Sequence, residues 1–221
     1  MSRVERNGNR KTREQMLKRR VPELGYYFIV TDTKETEQNY MLGLRESIPK
    51  ELQGKLVIKV VKTTTKNLVD EALNLASLNP QYGEIWIVFD RDQVKDFDEL
   101  IRQARCKGIN VGWTNPCIEA WFYAYFGEMP NYQDSVSCCS GFNTTYERTT
   151  RQKYVKSDPQ IYKKLNCFGD EQEAIALAER KIVEHWANCK DKPSKMCPCT
   201  TVHLLVGEIK SKIHCSKEGD I

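Results

Sequence analysis

The feature that most constrains this chain is a set of four short apolar runs separated by longer segments with helical spacing. The runs have the length of a strand and are rich in β-branched and aromatic residues: "YYFIVT" (26–31), "LVIKVV" (56–61), "IWIVFD" (85–90) and "INVGWT" (109–114). Three of them are nearly apolar throughout, which is typical of parallel strands covered by helices on both faces. The sequence therefore predicts an α/β fold with an open, mainly parallel sheet flanked by helices.

The segments between the runs place apolar residues three and four positions apart, as a helix does. Two of them show the full pattern: Val69, Ala72, Leu73 and Ala76, and then Phe97, Leu100, Ile101 and Ala104. A further helix is predicted to open at Asn115-Pro116, because Asn caps helices well and Pro suits the first helical position. Residues 127–145 are rich in Gly, Pro, Asn and Ser and are predicted to form a loop.

Two more helices are predicted in the C-terminal part of the chain. Asp170 can cap the first, with Glu173 closing a capping box. The second presents apolar residues on one face: Val202, Leu205, Val206 and Ile209. We therefore predict a basic, flexible arm at 1–24, an α/β core at 25–126, and a loop and helical elaboration packed on the core at 127–215.

Composition narrows the class of protein. The chain has 221 residues, of which 40% are hydrophobic and 29% charged, so it can bury a core without a metal or disulfide. No stretch reaches the roughly 20 apolar residues of a membrane helix, and the basic N-terminal segment lacks the apolar core that a secretory signal needs. The nine scattered cysteines favour reduced thiols, and we expect a cytoplasmic protein without membrane contact.

Acidic and amide side chains follow three of the four predicted strands. Asp32 comes after the first strand, Asp90 and Asp92 end the third, and Asn115 and Glu119 follow the fourth. The carboxyl ends of parallel strands meet at one edge of a sheet, where ligands bind. Clustered carboxylates there favour a site for a divalent ion such as Mg²⁺. The alternative is that these acids only form turns and cap helices, since two aspartates at this spacing occur often by chance.

Basic residues near the same positions suggest contacts with a phosphate backbone. Arg91 and Lys95 flank the aspartates, and a later segment mixes basic and aromatic residues: Tyr146, Arg148, Arg151, Lys153, Tyr154 and Lys156. This mixture suits a single-stranded nucleic acid with stacked bases, although a solvated helix face explains it nearly as well. No Gly-rich phosphate loop follows the first strand, so an ATPase activity would require a partner.

A zinc site in the C-terminal part has only weak support. Cysteine and histidine are suitable ligands and occur there in number: His185, Cys189, Cys197, Cys199 and His203. However, "CPC" has a gap of one residue, where the strong zinc signal is a gap of two. The sequence leaves this alternative open.

Several motifs resemble those of RloB-like proteins. "IVTDTKETEQNY" (29–40) resembles their opening motif, "IWIVFDRDQ" (85–93) their aspartate motif, "INVGWTNPCIEAWFYAYF" (109–126) their Asn-Pro-x-x-Glu-x-Trp segment, and "PCTTVHLLVGEI" (198–209) their closing helix. The resemblance implies a TOPRIM-like core, in which a strand-one carboxylate and an aspartate pair act with Mg²⁺ (or Mn²⁺) on phosphodiesters. It also implies a role in prokaryotic anti-phage defence beside an AAA/ABC-type ATPase partner.

The resemblance also implies roles for individual residues. Asp32 occupies the general acid/base position and ligates metal with Asp90 and Asp92, while Glu37 and Glu119 occupy further catalytic positions and Asn115 a motif position. The family usually has Glu-Gly where this chain has Asp32-Thr33. Either the backbone compensates for the shorter side chain, or a neighbouring glutamate takes the role, or strong catalysis is lost.

These observations lead to a main expectation and two alternatives. We expect a Mg²⁺-dependent nuclease acting on DNA or RNA. The first alternative is a non-catalytic module that binds nucleic acid or docks on an ATPase, which the change at position 32 favours. The second is a metal-dependent phosphotransfer enzyme on the same core. Whether the chain forms a homo-oligomer is left open.

Overall fold

A five-stranded sheet runs through the middle of the fold, in a computed structural model that describes residues 24–31, 35–61, 67–92, 94–132 and 134–218. The strands are β1 (Tyr27–Thr31), β2 (Leu56–Val60), β3 (Glu84–Asp90), β4 (Asn110–Asn115) and β5 (Cys199–Thr200). Their order is β2-β1-β3-β4-β5; the first four are parallel, and β5 is antiparallel to β4. The predicted open, mainly parallel α/β fold is confirmed.

The strand order changes direction between β1 and β3. The chain moves from β1 outward to β2, then crosses back over β1 to β3 and continues to β4. In sheets of this type, ligands bind outside the carboxyl ends of the strands at such a switch point, because the loops there leave in opposite directions. The residues that follow β1 and β3 therefore flank the crevice in which a sheet of this type is expected to bind its ligand.

Eight helices of the described residues cover the sheet. They are α1 (Thr36–Ser47), α2 (Leu68–Ser77), α3 (Phe97–Cys106), α4 (Glu119–Ala124), α5 (Ser135–Thr150), α6 (Ile161–Phe168), α7 (Glu171–Ala187) and α8 (Val202–Glu218). Two short 3₁₀ helices span Lys50–Lys55 and Pro193–Lys195. Within the described ranges, none of these helices combines the length and apolar composition that crossing a membrane requires.

Alternate side chains of the strands enter two separate cores, as the pleat requires. Trp86 and Val88 of β3 pack with α1 and the helices α4 to α8, whereas Ile87 and Phe89 pack with α2 and α3. Asp90 continues the Trp86–Val88 series and faces the first core. By the same alternation, the last residue of β4, Asn115, belongs to the face opposite Asp90.

The short strand β5 completes the outer side of β4 with the help of threonine side chains. The Thr201 N–H donates to the Trp113 carbonyl (2.8 Å), and the Trp113 N–H donates to the Thr201 hydroxyl (2.9 Å). That hydroxyl in turn donates to the Val111 carbonyl (2.9 Å). Together, β5 and the threonine that follows it therefore form hydrogen bonds with more residues of β4 than a two-residue strand alone could.

The two predicted C-terminal helices and the cap at Asp170 are confirmed, but the capping box with Glu173 is not formed. Asp170 caps α7 by accepting from the backbone N–H groups of Gln172 (2.8 Å) and Glu173 (3.0 Å). The Asp170 N–H itself donates to the Tyr125 carbonyl (2.9 Å), so the reciprocal bond of a capping box is replaced by a tertiary contact. The four apolar residues predicted on one face of the last helix are all buried in α8: Val202, Leu205, Val206 and Ile209.

Two local predictions are wrong. The helix expected at Asn115-Pro116 begins only at Glu119, because Asn115 continues β4 and its amide donates to the Pro193 carbonyl (3.0 Å) instead of capping. The loop expected at 127–145 contains the start of α5, which Asp134 caps through the Ser137 N–H (2.7 Å). Tertiary packing overrides the weak helix propensity there, because one face of α5 buries Cys138, Phe142 and Tyr146 in the first core.

Candidate active site at the carboxyl ends of the strands

The two aspartates at the end of β3 are anchored to the starts of two helices. One oxygen of Asp90, Oδ2, accepts from the Ile118 N–H, just before α4 (2.9 Å). The Oδ1 of Asp92 accepts from the hydroxyl of Ser135, the first residue of α5 (2.7 Å). The Asp92 N–H also donates to the Pro116 carbonyl (3.1 Å). Both carboxylates thus lie between the end of β3 and the segments that follow β4.

Glu119 supplies a buried carboxylate at the start of α4. Its side chain is 1% exposed, its Oε1 accepts from the Tyr154 hydroxyl (2.9 Å), and the Lys156 ammonium lies 3.6 Å away. Burial, followed by the negative charge of Glu119, raises the pKa of Tyr154. Partial burial opposes the charged form of Lys156, but Glu119 together with Cys139 and Cys117 outweighs it and raises the Lys156 pKa. Both partners therefore stay protonated beside this carboxylate.

Two thiols lie directly against this carboxylate. The sulfurs of Cys117 and Cys139 are 3.8 Å apart, and with a Glu119 oxygen they form a group of ligand atoms all within 4.8 Å of one another. A hydrogen bond with Cys138, then burial, then the charges of Glu119 and Asp90 raise the pKa of Cys117. Because Asp90 also accepts from the Ile118 N–H, directly before Glu119, the two carboxylates lie in the same small region of the first core.

The N-terminus of α1 lies against the same region. Thr36 and Glu37 are buried there, and the Asn39 amide donates to the Ser157 carbonyl (3.0 Å). Thr36 also acts on Tyr154, lowering its pKa slightly against the larger effects of burial and Glu119. The segment from 151 to 157 therefore joins the start of α1 to the start of α4.

Asp32 lies outside the described residues, and its place in a metal site stays a prediction. The residue before it, Thr31, is fully buried and pairs with Val88 of β3. The chain thus leaves β1 beside the strand that carries Asp90. The basic arm predicted at 1–24 is likewise undescribed, except for Leu24, which is buried in the first core.

The residues predicted to bind nucleic acid fall into three environments. Lys95, Arg151 and Lys153 are exposed and Arg91 is half-buried; Arg148 is exposed and pairs with Glu128 (3.2 Å). Tyr154 and Lys156 contact Glu119, as described above. Asn115 is fully buried and donates to the Pro193 and Ser194 carbonyls on the other face of the sheet. Their role in nucleic-acid binding stays a prediction.

The cysteines and histidines of the C-terminal part do not gather into a metal-binding group among the described side chains. His185 Nε2 lies 2.9 Å from the Pro198 carbonyl, and the Cys197 thiol donates to the Tyr132 carbonyl (2.8 Å). No sequence pattern predicted the group that does form, around Cys117 and Cys139. Its two thiols are 22 positions apart, and no spacing rule connects them.

Comparison with known proteins agrees with the motifs. No curated protein and no solved structure matches the sequence. The sequence profile of the family described as RloB-like protein matches residues 27–209, from the first residue of β1 into α8. This match spans the sheet, the anchored aspartates and the thiol and carboxylate group, and it covers most of the chain. The chain therefore belongs to the RloB-like protein family.

Proposed function

We propose that this protein is a metal-dependent nuclease that hydrolyses phosphodiester bonds of DNA or RNA. One observation carries the proposal: Asp90 at the end of β3 accepts from the Ile118 N–H, directly before the buried Glu119, so two carboxylates distant in sequence lie beside the carboxyl ends of β3 and β4. Asp92 extends the same region through Ser135. The switch point between β1 and β3 is where a sheet of this type binds its ligand.

The donors present suit a hard divalent ion. Asp90 and Asp92 offer carboxylate oxygens, the ligand type that Mg²⁺ and Mn²⁺ prefer, and they would hold the ion. Asp92 is exposed and can reach an ion that keeps several waters. When bound, such an ion would lower the pKa of a water nucleophile and neutralise charge that develops on the phosphate. Asp32 follows β1 and is expected to complete this set.

The protein groups around Glu119 support proton transfer and positioning. Tyr154 stays protonated and donates to Glu119, which fixes the orientation of that carboxylate. We propose Glu119 as a group that holds or moves a proton near the scissile phosphate, with Glu37 as a second candidate at the start of α1. Lys156 is 56% exposed and keeps its charge, so its ammonium can reach a phosphate oxygen from the outer side.

A path for the nucleic acid leads along the segment that follows α5. Arg151 and Lys153 are exposed on this segment, immediately before Tyr154 and Lys156 contact the site. Exposed cations leading to a carboxylate cluster would guide a phosphate backbone toward it. The half-buried Arg91 and the exposed Lys95 lie next to the aspartates in the sequence.

We also propose that the nuclease acts in prokaryotic anti-phage defence with a separate ATPase of the AAA or ABC type. This rests on membership of the RloB-like family and on the lack of a Gly-rich phosphate loop after β1 in the sequence. A second candidate is a non-catalytic module that binds nucleic acid or an ATPase. The observation that favours it is Asp32-Thr33 in place of the usual Glu-Gly of the family.

Cleavage assays on purified protein separate the two candidates. Labelled single- and double-stranded DNA and RNA are incubated with Mg²⁺, Mn²⁺ or EDTA, using the wild type and the Asp90→Asn and Asp92→Asn variants. Asp70→Asn is the matched control, because Asp70 is an exposed acid that pairs with Lys107 away from the site. We expect cleavage that requires metal and falls at least about a hundredfold in the first two variants only. Binding without cleavage under every condition, unaffected by EDTA, would establish the non-catalytic module instead.

A further inference from the structure

Two cysteines and a glutamate of the first core have the arrangement of a metal site of a different kind. Cys117 lies two residues before Glu119 on the segment that follows β4, and Cys139 lies in the second turn of α5. The three ligand atoms are all within 4.8 Å of one another. Within the described part of the chain, no other histidine, cysteine or acidic side chains form such a group of three.

The distance between the sulfurs matches a tetrahedral centre. Zinc binds thiolate at about 2.3 Å, so two sulfurs at a tetrahedral angle stand about 3.8 Å apart. The Cys117 and Cys139 sulfurs are 3.8 Å apart. A zinc ion could thus bind both sulfurs at close to their present separation. Thiolate ligands select zinc-like ions, whereas Mg²⁺ prefers oxygen alone.

The charges around the group also balance with a divalent ion present. Each thiol gives up its proton when it binds metal, so two thiolates and the Glu119 carboxylate would carry three negative charges. A divalent ion and the Lys156 ammonium, 3.6 Å from Glu119, would together neutralise them. Cys117 and Glu119 are buried and Cys139 is half-buried, which leaves an approach to the ion on the Cys139 side.

We propose that Cys117, Glu119 and Cys139 form a binding site for Zn²⁺ or a similar thiophilic divalent ion. Three protein ligands leave a fourth tetrahedral position for water or a phosphate oxygen, as in zinc sites that are open to substrate. The site shares Glu119 with the proposed nuclease centre, but ion binding through the two thiols does not depend on nuclease activity. Zinc binding and cleavage can therefore succeed or fail separately.

The first test is a metal titration of the reduced, EDTA-treated full-length chain without nucleic acid. Zn²⁺ is titrated against a chromophoric chelator, and Co²⁺ serves as a spectroscopic probe because thiolate ligands give it intense near-ultraviolet absorption. We expect Cys139→Ser to weaken binding at least about tenfold, since even outer-shell changes cost 10–100-fold. Cys106→Ser is the control for an exposed thiol on α3, and Cys197→Ser tests the C-terminal cysteines. Both controls should bind as the wild type does.

The second test uses only the wild type, so that a folding defect of a variant cannot decide the outcome. Alkylation of individual cysteines is followed by mass spectrometry with and without Zn²⁺. Zinc should slow modification of Cys139 severalfold and leave the exposed Cys106 unchanged. The proposal is overturned if Cys139 reacts equally fast in both conditions, or if Cys139→Ser binds Zn²⁺ like Cys106→Ser. Loss of binding in Cys197→Ser alone would assign the metal to the C-terminal cysteines and also overturn it.

Discussion

Replacing Asp90 by asparagine and by alanine separates its structural role from its chemical role. In the structure, Oδ2 of Asp90 accepts from the Ile118 N–H at the entry to α4, and Ile118 itself is buried. Alanine removes this acceptor and leaves a buried donor without a partner. Asparagine keeps a carbonyl oxygen in nearly the same place but removes the negative charge.

The two variants should therefore differ in stability. An unsatisfied buried N–H costs about 1–3 kcal/mol, which lowers the melting temperature of a chain of this size by roughly 2–12 °C. For Asp90→Asn, loss of a favourable charge near a helix start costs about 0.3–1 kcal/mol. The free energy of unfolding of Asp90→Asn should stay within about 1 kcal/mol of the wild type.

Urea unfolding followed by circular dichroism gives both free energies, and the cleavage assay is run on the same preparations. We expect Asp90→Ala to lose stability and activity, and Asp90→Asn to lose activity alone. Equal destabilisation by the two variants would show that the Ile118 contact does not account for the structural role of Asp90. Full cleavage by Asp90→Asn would show that its charge is not needed for chemistry.

Three further predictions concern packing, pH and nucleic-acid binding. Gly169→Ala should destabilise the fold by about 1–3 kcal/mol in urea unfolding, because a Cβ there would overlap the backbone carbonyl oxygen of Tyr125 and lie 2.9 Å from its carbonyl carbon. Burial lowers the pKa of His203 from 6.5 to about 4, so the unfolded chain binds the extra proton between these values and stability falls as pH falls. Between pH 7 and pH 5 the wild type should lose about 2 kcal/mol that His203→Gln does not lose, and parallel curves for the two proteins would contradict this. Lys153→Ala should reduce the salt dependence of single-stranded nucleic-acid binding by about 0.7 in log–log slope, measured by fluorescence anisotropy, and the already paired Arg148 should contribute less when replaced by alanine.

The strands and the final helix could be predicted because their signal is local. The apolar run at 85–90 agrees with β3 to within one residue, and the four-residue apolar face of α8 is buried as its spacing requires. Asp170 was likewise identifiable as a cap, because its hydrogen bonds reach only two and three residues along the chain. Patterns of this kind need no knowledge of the rest of the fold.

Features that depend on distant contacts could not be predicted. The start of α5 is poor in strong helix formers, and its helical state depends on packing of Phe142 and Tyr146 against other aromatic side chains of the core, including Tyr154. Asn115 was predicted as a site residue because it follows a predicted strand; in the structure it is the last residue of β4, and the pleat places it on the face opposite Asp90. The position of the strand could be deduced from the sequence. The face of the sheet on which Asn115 lies depends on the residue at which β4 ends.

Within the candidate site, the sequence indicated the acidic residues but not their partners. The anchoring of Asp92 by Ser135 and of Glu119 by Tyr154 joins segments 43 and 35 positions apart. Such pairs follow from the way α5 and the segment after it fold back over α4. Neither contact has a characteristic spacing in the sequence. The acidic residues at this edge of the sheet could therefore be predicted from the sequence, but the contacts that hold them could not.

The hydroxyl of Thr201 has a consequence for how the molecule can associate with others. By accepting from Trp113 and donating to Val111, it occupies backbone groups of β4 that an incoming strand would need. Strand addition to this part of β4 is thereby blocked, which protects against aggregation through an open strand. The opposite edge of the sheet is β2, where the exposed Lys59 is a charge of the kind that discourages pairing with a second chain.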